Sequence, residues 1–258
     1  VERINDGKVL IDLNAEKRLS PASVTKLVVA SKALDTWGSQ KKFNSTLQMR
    51  GSLKGGVLKG DLVFFGAGDP YLTNEKLWFL TTDVYRAGVR KITGRLVVNN
   101  SLFGDVESDA NRRRGERASA HAYDSPLSSA AVNFSVAGIV VIPGQKIGEQ
   151  ANVALEPYNV PSVRLINRVR TGTGRGRNLQ VTRQTVRGQD EFYVSGYIGV
   201  SAPAERIYRS VSNPERFAGE VLLTFLEHTG ITFENRAPVI EDVSPTTNDK
   251  DRKSTRLN

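Results

Sequence analysis

The sequence predicts an α/β protein of the α+β kind, and three observations predict it. Apolar residues recur at helical spacing from Pro21 to Leu34. Residues 46–66 alternate in the manner of paired strands before a second helical stretch at 74–87. Short strand patterns separated by turn signals then run to about Val200, ahead of a last helix at 214–228. At 258 residues the chain exceeds a usual single domain, so two or three compact units are expected, each with its own core.

Taken in order, Lys8-Val9-Leu10-Ile11-Asp12-Leu13 reads as an opening strand. Because the chain opens on Val1 and enters that strand directly, its natural start is expected to lie upstream. Leu19-Ser20-Pro21-Ala22-Ser23-Val24-Thr25-Lys26-Leu27 starts a helix, since the missing N–H of Pro21 is no loss in a first turn, and the helix ends near Gly38. Two alternating runs flank Lys54-Gly55-Gly56, a hairpin signal. Gly66-Ala67-Gly68-Asp69-Pro70 follows a strand and is glycine-rich. It lacks the Gly-Lys-Ser/Thr ending of a phosphate loop and the third glycine of a dinucleotide fingerprint, and it reads as a tight turn. Asn74 is a candidate cap for the helix to Ala87, Gly88 closes that helix, and Ile92 to Val98 is a strand. Residues 104–120 are polar and arginine-rich and read as a connector. Ile139-Val140-Val141-Ile142 begins a mostly-β stretch. Asn213 or Ser212 caps the helix from Pro214 to His228, and Gly230 stops it. From 244 on the chain is polar, with no core-forming pattern.

Composition narrows the chemistry. No run of eighteen apolar residues is present, so no transmembrane segment is expected. With no cysteine and only His121 and His228, thiolate and histidine-rich metal sites are not expected, nor any cofactor. The net charge of +9 concentrates at Arg112-Arg113-Arg114 and from Arg164 to Arg187, a surface that attracts polyanions. No aromatic residues interleave with those arginines along the chain, which argues against a nucleic-acid platform; an anionic cell envelope would serve equally well as counterpart, and most of these arginines read as solvated surface.

The chemistry-bearing motif is Ser23-Val24-Thr25-Lys26. A spacing of three in a helix puts both side chains on one face, roughly 5–6 Å apart at Cβ, so the amine reaches the hydroxyl. A serine hydroxyl is a weak nucleophile at neutral pH, and a lysine held neutral takes its proton. A second copy, Ser39/Lys42, follows Gly38 and starts no apolar helix. The plain alternative for Ser23 is a surface serine of an amphipathic helix.

Beyond this motif, a collinear series runs across roughly residues 7–235. It comprises Gly7-Lys8-Val9-Leu10, Pro21-Ala22-Ser23-Val24-Thr25-Lys26-Leu27, Lys59-Gly60-Asp61-Leu62, Gly66-Ala67-Gly68-Asp69-Pro70-Tyr71-Leu72 and Gly94-Arg95-Leu96-Val97-Val98, then Ser125-Pro126-Leu127-Ser128-Ser129, Pro143-Gly144, Pro214-Glu215-Arg216-Phe217-Ala218 and Gly230-Ile231. In this series the chain resembles the D-alanyl-D-alanine carboxypeptidase/endopeptidases, low-molecular-mass penicillin-binding proteins with domains inserted into a serine transpeptidase/β-lactamase-like fold. The resemblance implies a partial transpeptidase-like domain at 1–44, an inserted α+β domain at 45–124 and an inserted mostly-β domain at 125–205. It further implies a return to the transpeptidase-like domain at 206–243; the polar run at 244–258 reads as either a disordered tail or sequence that does not belong to the fold.

The same resemblance implies an acyl-enzyme on Ser23, Lys26 as general base, peptidoglycan stem peptides as substrate, β-lactams as acylating inhibitors and a periplasmic or other extracytoplasmic site of action. It also places Asp124 where an inserted domain meets the free end of the stem peptide. The stretch before it, Arg117-Ala118-Ser119-Ala120-His121, departs from the family's aromatic-rich pattern, and Asp124-Ser125-Pro126 is equally a turn signal. Two further family motifs, Ser-x-Asn and Lys-Thr-Gly, do not occur in these 258 residues. Thr246-Thr247-Asn248 is only a threonine variant, and Arg170-Thr171-Gly172 comes too early in the chain. The expectation is therefore a chain truncated at its C-terminus, inactive or nearly so alone. A non-catalytic peptidoglycan-binding remnant is the alternative. A β-lactamase is disfavoured by the long insertion between the first and last helices, and oligomeric state is left open.

Overall fold

A computed structural model of the chain describes residues 1–103, 119–244 and 255–256. Arg112-Arg113-Arg114, Arg117, most of the 104–120 connector and Thr246-Thr247-Asn248 lie outside the described residues. The chain divides into two units, Val1–Lys42 and Phe43–Asn258.

In the first unit a 3-10 turn, Ala22–Val24, leads directly into helix α1, Thr25–Trp37. The helix stops at Gly38, whose φ of 70° suits a residue without Cβ and whose N–H reaches Leu34 O at 2.8 Å. The expected opening strand is replaced by a turn through Gly7 with one isolated bridge, Glu2 to Val9. That bridge is the only strand-type pairing in the unit among the described residues, and a single pair is too little to hold a ladder.

The second unit is built on a mixed sheet. Strands β1 (Thr46–Lys54) and β2 (Val57–Phe65) pair antiparallel from Thr46↔Phe65 to Lys54↔Val57. The turn between them is Gly55-Gly56 at φ 56° and 80°, the left-handed pair that a two-residue hairpin requires. Helix α2, Asn74–Arg86, returns the chain so that β3 (Lys91–Ile92) and β4 (Leu96–Asn99) pair with β2 in parallel. The residue at its cap position is Thr73, in place of Asn74. Asn74 Oδ1 instead accepts Asn133 Nδ2 at 2.6 Å. The expected continuous strand from Ile92 to Val98 is broken at 93–95, where Asp61 Oδ1 accepts the N–H of Arg95 at 2.7 Å. Chain and strand approach so closely there that a Cβ on Gly94 would stand 2.4 Å from Gly60 O.

The middle of the chain forms two three-stranded sheets. One joins β5 (Val136–Ile142), β6 (Asn152–Glu156) and β10 (Glu205–Ser210) in the order β10-β5-β6. The other joins β7 (Val163–Gly172), β8 (Arg177–Val186) and β9 (Gln189–Gly199) in the order β7-β9-β8.

Helix α3, Pro214–His228, is capped by Asn213, whose side chain accepts Arg216 N at 2.8 Å. It packs on α2 and β4, and the short strands β11 (Thr232–Phe233) and β12 (Val239–Ile240) pair with β3 and β4. Gly219 permits the close fit, since a Cβ there would lie 2.8 Å from both Val98 Cγ2 and Pro238 Cβ. The expected boundary at 205/206 therefore cuts β10. Residues 206–243 belong by their packing to the second unit, not to the part that carries Ser23, because Phe217, Val221, Leu222 and Leu226 share one buried cluster with Leu77, Leu80, Leu96 and Val98. Two residues of the polar C-terminal run, β13 (Thr255–Arg256), pair antiparallel with Leu47 and Thr46.

Candidate active site

The 3-10 turn and first turn of α1 bring Ser23 and Lys26 together as their spacing requires. Lys26 Nζ donates to Ser23 Oγ at 3.2 Å. Pro21 enters the turn at φ −69°, and Ala22 follows at φ +43°, so a side-chain-bearing residue stands in the left-handed region directly before the serine. Such a conformation costs of order 1–3 kcal/mol and is found most often at functional turns. Every residue of the first unit except Ala33 is exposed. Leu27, Val28, Leu34 and Trp37 turn an uncovered apolar side of α1 outward, the kind of face that a packed surface covers. These 42 residues thus bring a serine hydroxyl and a lysine amine into hydrogen-bonding distance at a helix start, both exposed to solvent.

Asp124 belongs to the second unit, at the end of the 3-10 turn Ala122–Asp124, half-buried, with its N–H donated to His121 O at 3.0 Å. Two residues before it, Ala122 lines a cleft of about 570 Å³ together with Phe134, Glu156, Arg206 and Tyr208. Two of these lining residues pair, Arg206 Nε donating to Glu156 Oε2 at 3.1 Å.

The remaining sequence candidates have structural roles. Gly66 and Gly68 lie against residues 129–130. Gly68 N bonds Ser129 O at 2.8 Å, and a Cβ on Gly66 would stand 2.3 Å from that same oxygen, so the glycines serve close chain approach. Thr171 of Arg170-Thr171-Gly172 is buried in β7, its hydroxyl accepting Gly144 N at 2.8 Å. His121 stacks on Tyr123, and His228 stacks on Tyr158 at the C-terminal end of α3 while its Nδ1 meets Thr224 O at 2.8 Å. Among the described residues no group of three or more acidic or histidine side chains is placed to hold a metal, and no helix is long and apolar enough to cross a membrane.

Sequence reasoning did not identify Asn100. Its Oδ1 accepts from Ser128 Oγ at 2.8 Å and from Ser129 N at 2.7 Å, and its Nδ2 donates to Glu215 Oε1 at 2.7 Å. That explains why serines follow Pro126-Leu127, and the only advance signal was the polarity of Asn99-Asn100 at the end of an apolar strand.

Comparison with known proteins agrees with this architecture. The chain is 28% identical over 235 residues to a D-alanyl-D-alanine carboxypeptidase of an Actinomadura species, covering 88% of this chain and 42% of that protein. It is 22% identical over 238 residues to the D-alanyl-D-alanine carboxypeptidase DacB of Haemophilus influenzae, covering 91% and 48%. The crystal structure of penicillin binding protein 4 (dacB) from H. influenzae superposes with a TM-score of 0.67 at 20% identity over 95% of this chain and 53% of that one. A second crystal structure of it, complexed with a novel beta-lactam, gives 0.65 at 21%. At these identities the structural likeness speaks for the fold, and the chain spans about half the length of the relatives it matches. A profile of the D-Ala-D-Ala carboxypeptidase 3 (S13) family matches residues 1–252, and the chain belongs to that family.

Proposed function

We propose that the chain carries the nucleophile half of a serine-type D-Ala-D-Ala carboxypeptidase, acting on peptidoglycan stem peptides outside the cytoplasmic membrane. The observation that carries this is the 3.2 Å hydrogen bond between Lys26 Nζ and Ser23 Oγ at a helix start, in a chain of this family. Ser23 Oγ attacks the carbonyl carbon of the D-Ala-D-Ala peptide as its proton passes to Lys26 Nζ. The tetrahedral intermediate collapses, and the departing D-alanine amine takes the proton back. Water then cleaves the Ser23 ester, its proton again handled by Lys26. The backbone N–H of Ser23 is the proposed donor to the oxyanion. On the same chemistry a cross-linked peptide is an endopeptidase substrate, and a β-lactam ring is opened to a long-lived acyl-serine.

In this reading residues 1–44 are the first part of the transpeptidase-like domain, and the second unit is inserted to position the wall polymer, with Asp124 as a contact for the stem peptide. The basic strand that carries Arg164, Arg168 and Arg170 favours a second reading, a module that binds peptidoglycan without turning it over.

Prolonged incubation with a labelled penicillin, followed by peptide mass mapping, separates the two. Label on Ser23, absent in Ser23→Ala, supports the acyl-serine reading. A folded chain with no label on Ser23 supports the binding module. Acylation as fast as that of a penicillin-binding protein with all three motifs overturns the expectation that this chain alone is nearly inert.

A further inference from the structure

We propose that the outer face of the β7-β9-β8 sheet is a docking surface for a carboxylate-bearing amino-sugar strand. It rests on the wall-peptide reading above and names the polymer surface the second unit would grip. The register aligns side chains in rows across the three strands. Arg170, Tyr197 and Asn178 form one row, and Arg168, Ser195 and Gln180 the next. A row of Ile166, Tyr193 and Thr182 intervenes before Arg164, Glu191 and Gln184, where a carboxylate takes the middle place. In the first two rows one strand thus presents guanidiniums, the middle strand a ring and a hydroxyl, and the third strand amides. Alternation puts Val169, Val181, Phe192, Val194 and Ile198 on the opposite face, all buried, so the outer face is not core.

Each column has a chemistry that fits part of such a strand. Guanidiniums bind carboxylates as a fork; of the three on this strand Arg164 pairs with Glu191 at 3.3 Å, while the rows of Arg168 and Arg170 hold no carboxylate. Arg168 stands 6.0 Å from the Tyr193 ring centre, and Arg170 makes only a 3.5 Å contact with Gly148 O, so both keep donor capacity for an anion. Tyr197 is 44% exposed, and its ring packs against Gly172, where a Cβ would stand 3.0 Å from Cδ2. A bare ring flanked by amides suits a pyranose and its acetamido group, with aromatic stacking for the first and hydrogen bonds for the second. Along the chain no aromatic residue interleaves with these arginines, but across the sheet Tyr193 and Tyr197 do.

The test is sedimentation of the folded chain with purified peptidoglycan sacculi at near-physiological salt, beside Arg168→Gln/Arg170→Gln, Tyr197→Ala and Ser23→Ala, each checked by thermal melting. Amidated sacculi and single-stranded DNA serve as competing probes. The expected result is retention that falls about tenfold in the arginine and tyrosine variants and on amidated sacculi, with Ser23→Ala retained like the parent. Variants retained like the parent, indifference to amidation, loss in Ser23→Ala, or tighter binding to DNA each overturn the proposal. Penicillin labelling of Ser23 is read separately, so retention without labelling leaves the docking face standing and removes the catalytic reading.

Discussion

Asn100 Oδ1 accepts the backbone N–H of Ser129 at 2.7 Å, and this bond ties the end of β4 to the segment that leads into the β-rich part of the second unit. The same side chain also holds Ser128 and Glu215. Asn100→Ala leaves several part-buried donors without partners, each worth about 1–3 kcal/mol. The expected loss in urea unfolding is about 2–4 kcal/mol. Asn100→Asp keeps the acceptor but sets a carboxylate against Glu215, so it is expected to be no better than half-rescued.

Glu220 makes a comparable link from α3. Its carboxylate is 4% exposed and accepts Ser162 N at 2.7 Å and Arg216 Nε at 3.0 Å. Glu220→Ala is expected to cost about 2–3 kcal/mol by the same measurement, and Glu220→Gln less, because one acceptor oxygen remains for Ser162. Equal costs for the two would show that the carboxylate's charge toward Arg216, not packing or the bond to Ser162, is what matters.

Asp61 confers an acid-sensitive contribution. Burial raises its pKa, but the hydrogen bonds from the Arg95 side chain and backbone, with the charges of Arg95 and Arg50, outweigh burial and hold it below the ordinary value. A carboxyl group depressed in the fold stabilises it above the unfolded value of about 4, and the contribution is lost as pH falls from there through the folded value. The stability difference between parent and Asp61→Asn should be flat at neutral pH and shrink below about pH 4. A gap that grows with acidification would contradict the assignment.

For the candidate site, Lys26→Ala is expected to lower whatever rate of Ser23 acylation the parent shows by ~10²–10⁴. Lys26→Arg is not expected to rescue it, because a guanidinium does not give up its proton. Acylation rates with labelled penicillin, normalised to folded protein, check both.

Much of the local structure was legible. Pro21 and Gly38 bracket the first helix, Gly55-Gly56 makes the hairpin, and Asn213 with Pro214 starts α3, each because a cap or turn acts over three or four residues. The Ser23 and Lys26 pairing belongs to the same class, since three residues of helix fix it. The break between β3 and β4 was hidden because its cause, Asp61, sits 34 residues from Arg95. The Lys8–Leu13 run is rich in strand-favouring residues yet forms no strand, for composition states a preference and only a partner strand satisfies it.

By itself, then, the sequence determined which short segments turn, coil or extend, and that one helix start carries a serine with a lysine on the same face. The tertiary structure alone decided that α3 joins the second unit, that Asn100 gathers Ser128, Ser129 and Glu215, and that Tyr193 and Tyr197 stand beside arginines from another strand. The physical reason is range. Backbone caps and helical spacing act between near neighbours, whereas register across strands and the burial of one apolar face against another join residues far apart in sequence and exist only once the chain has closed on itself.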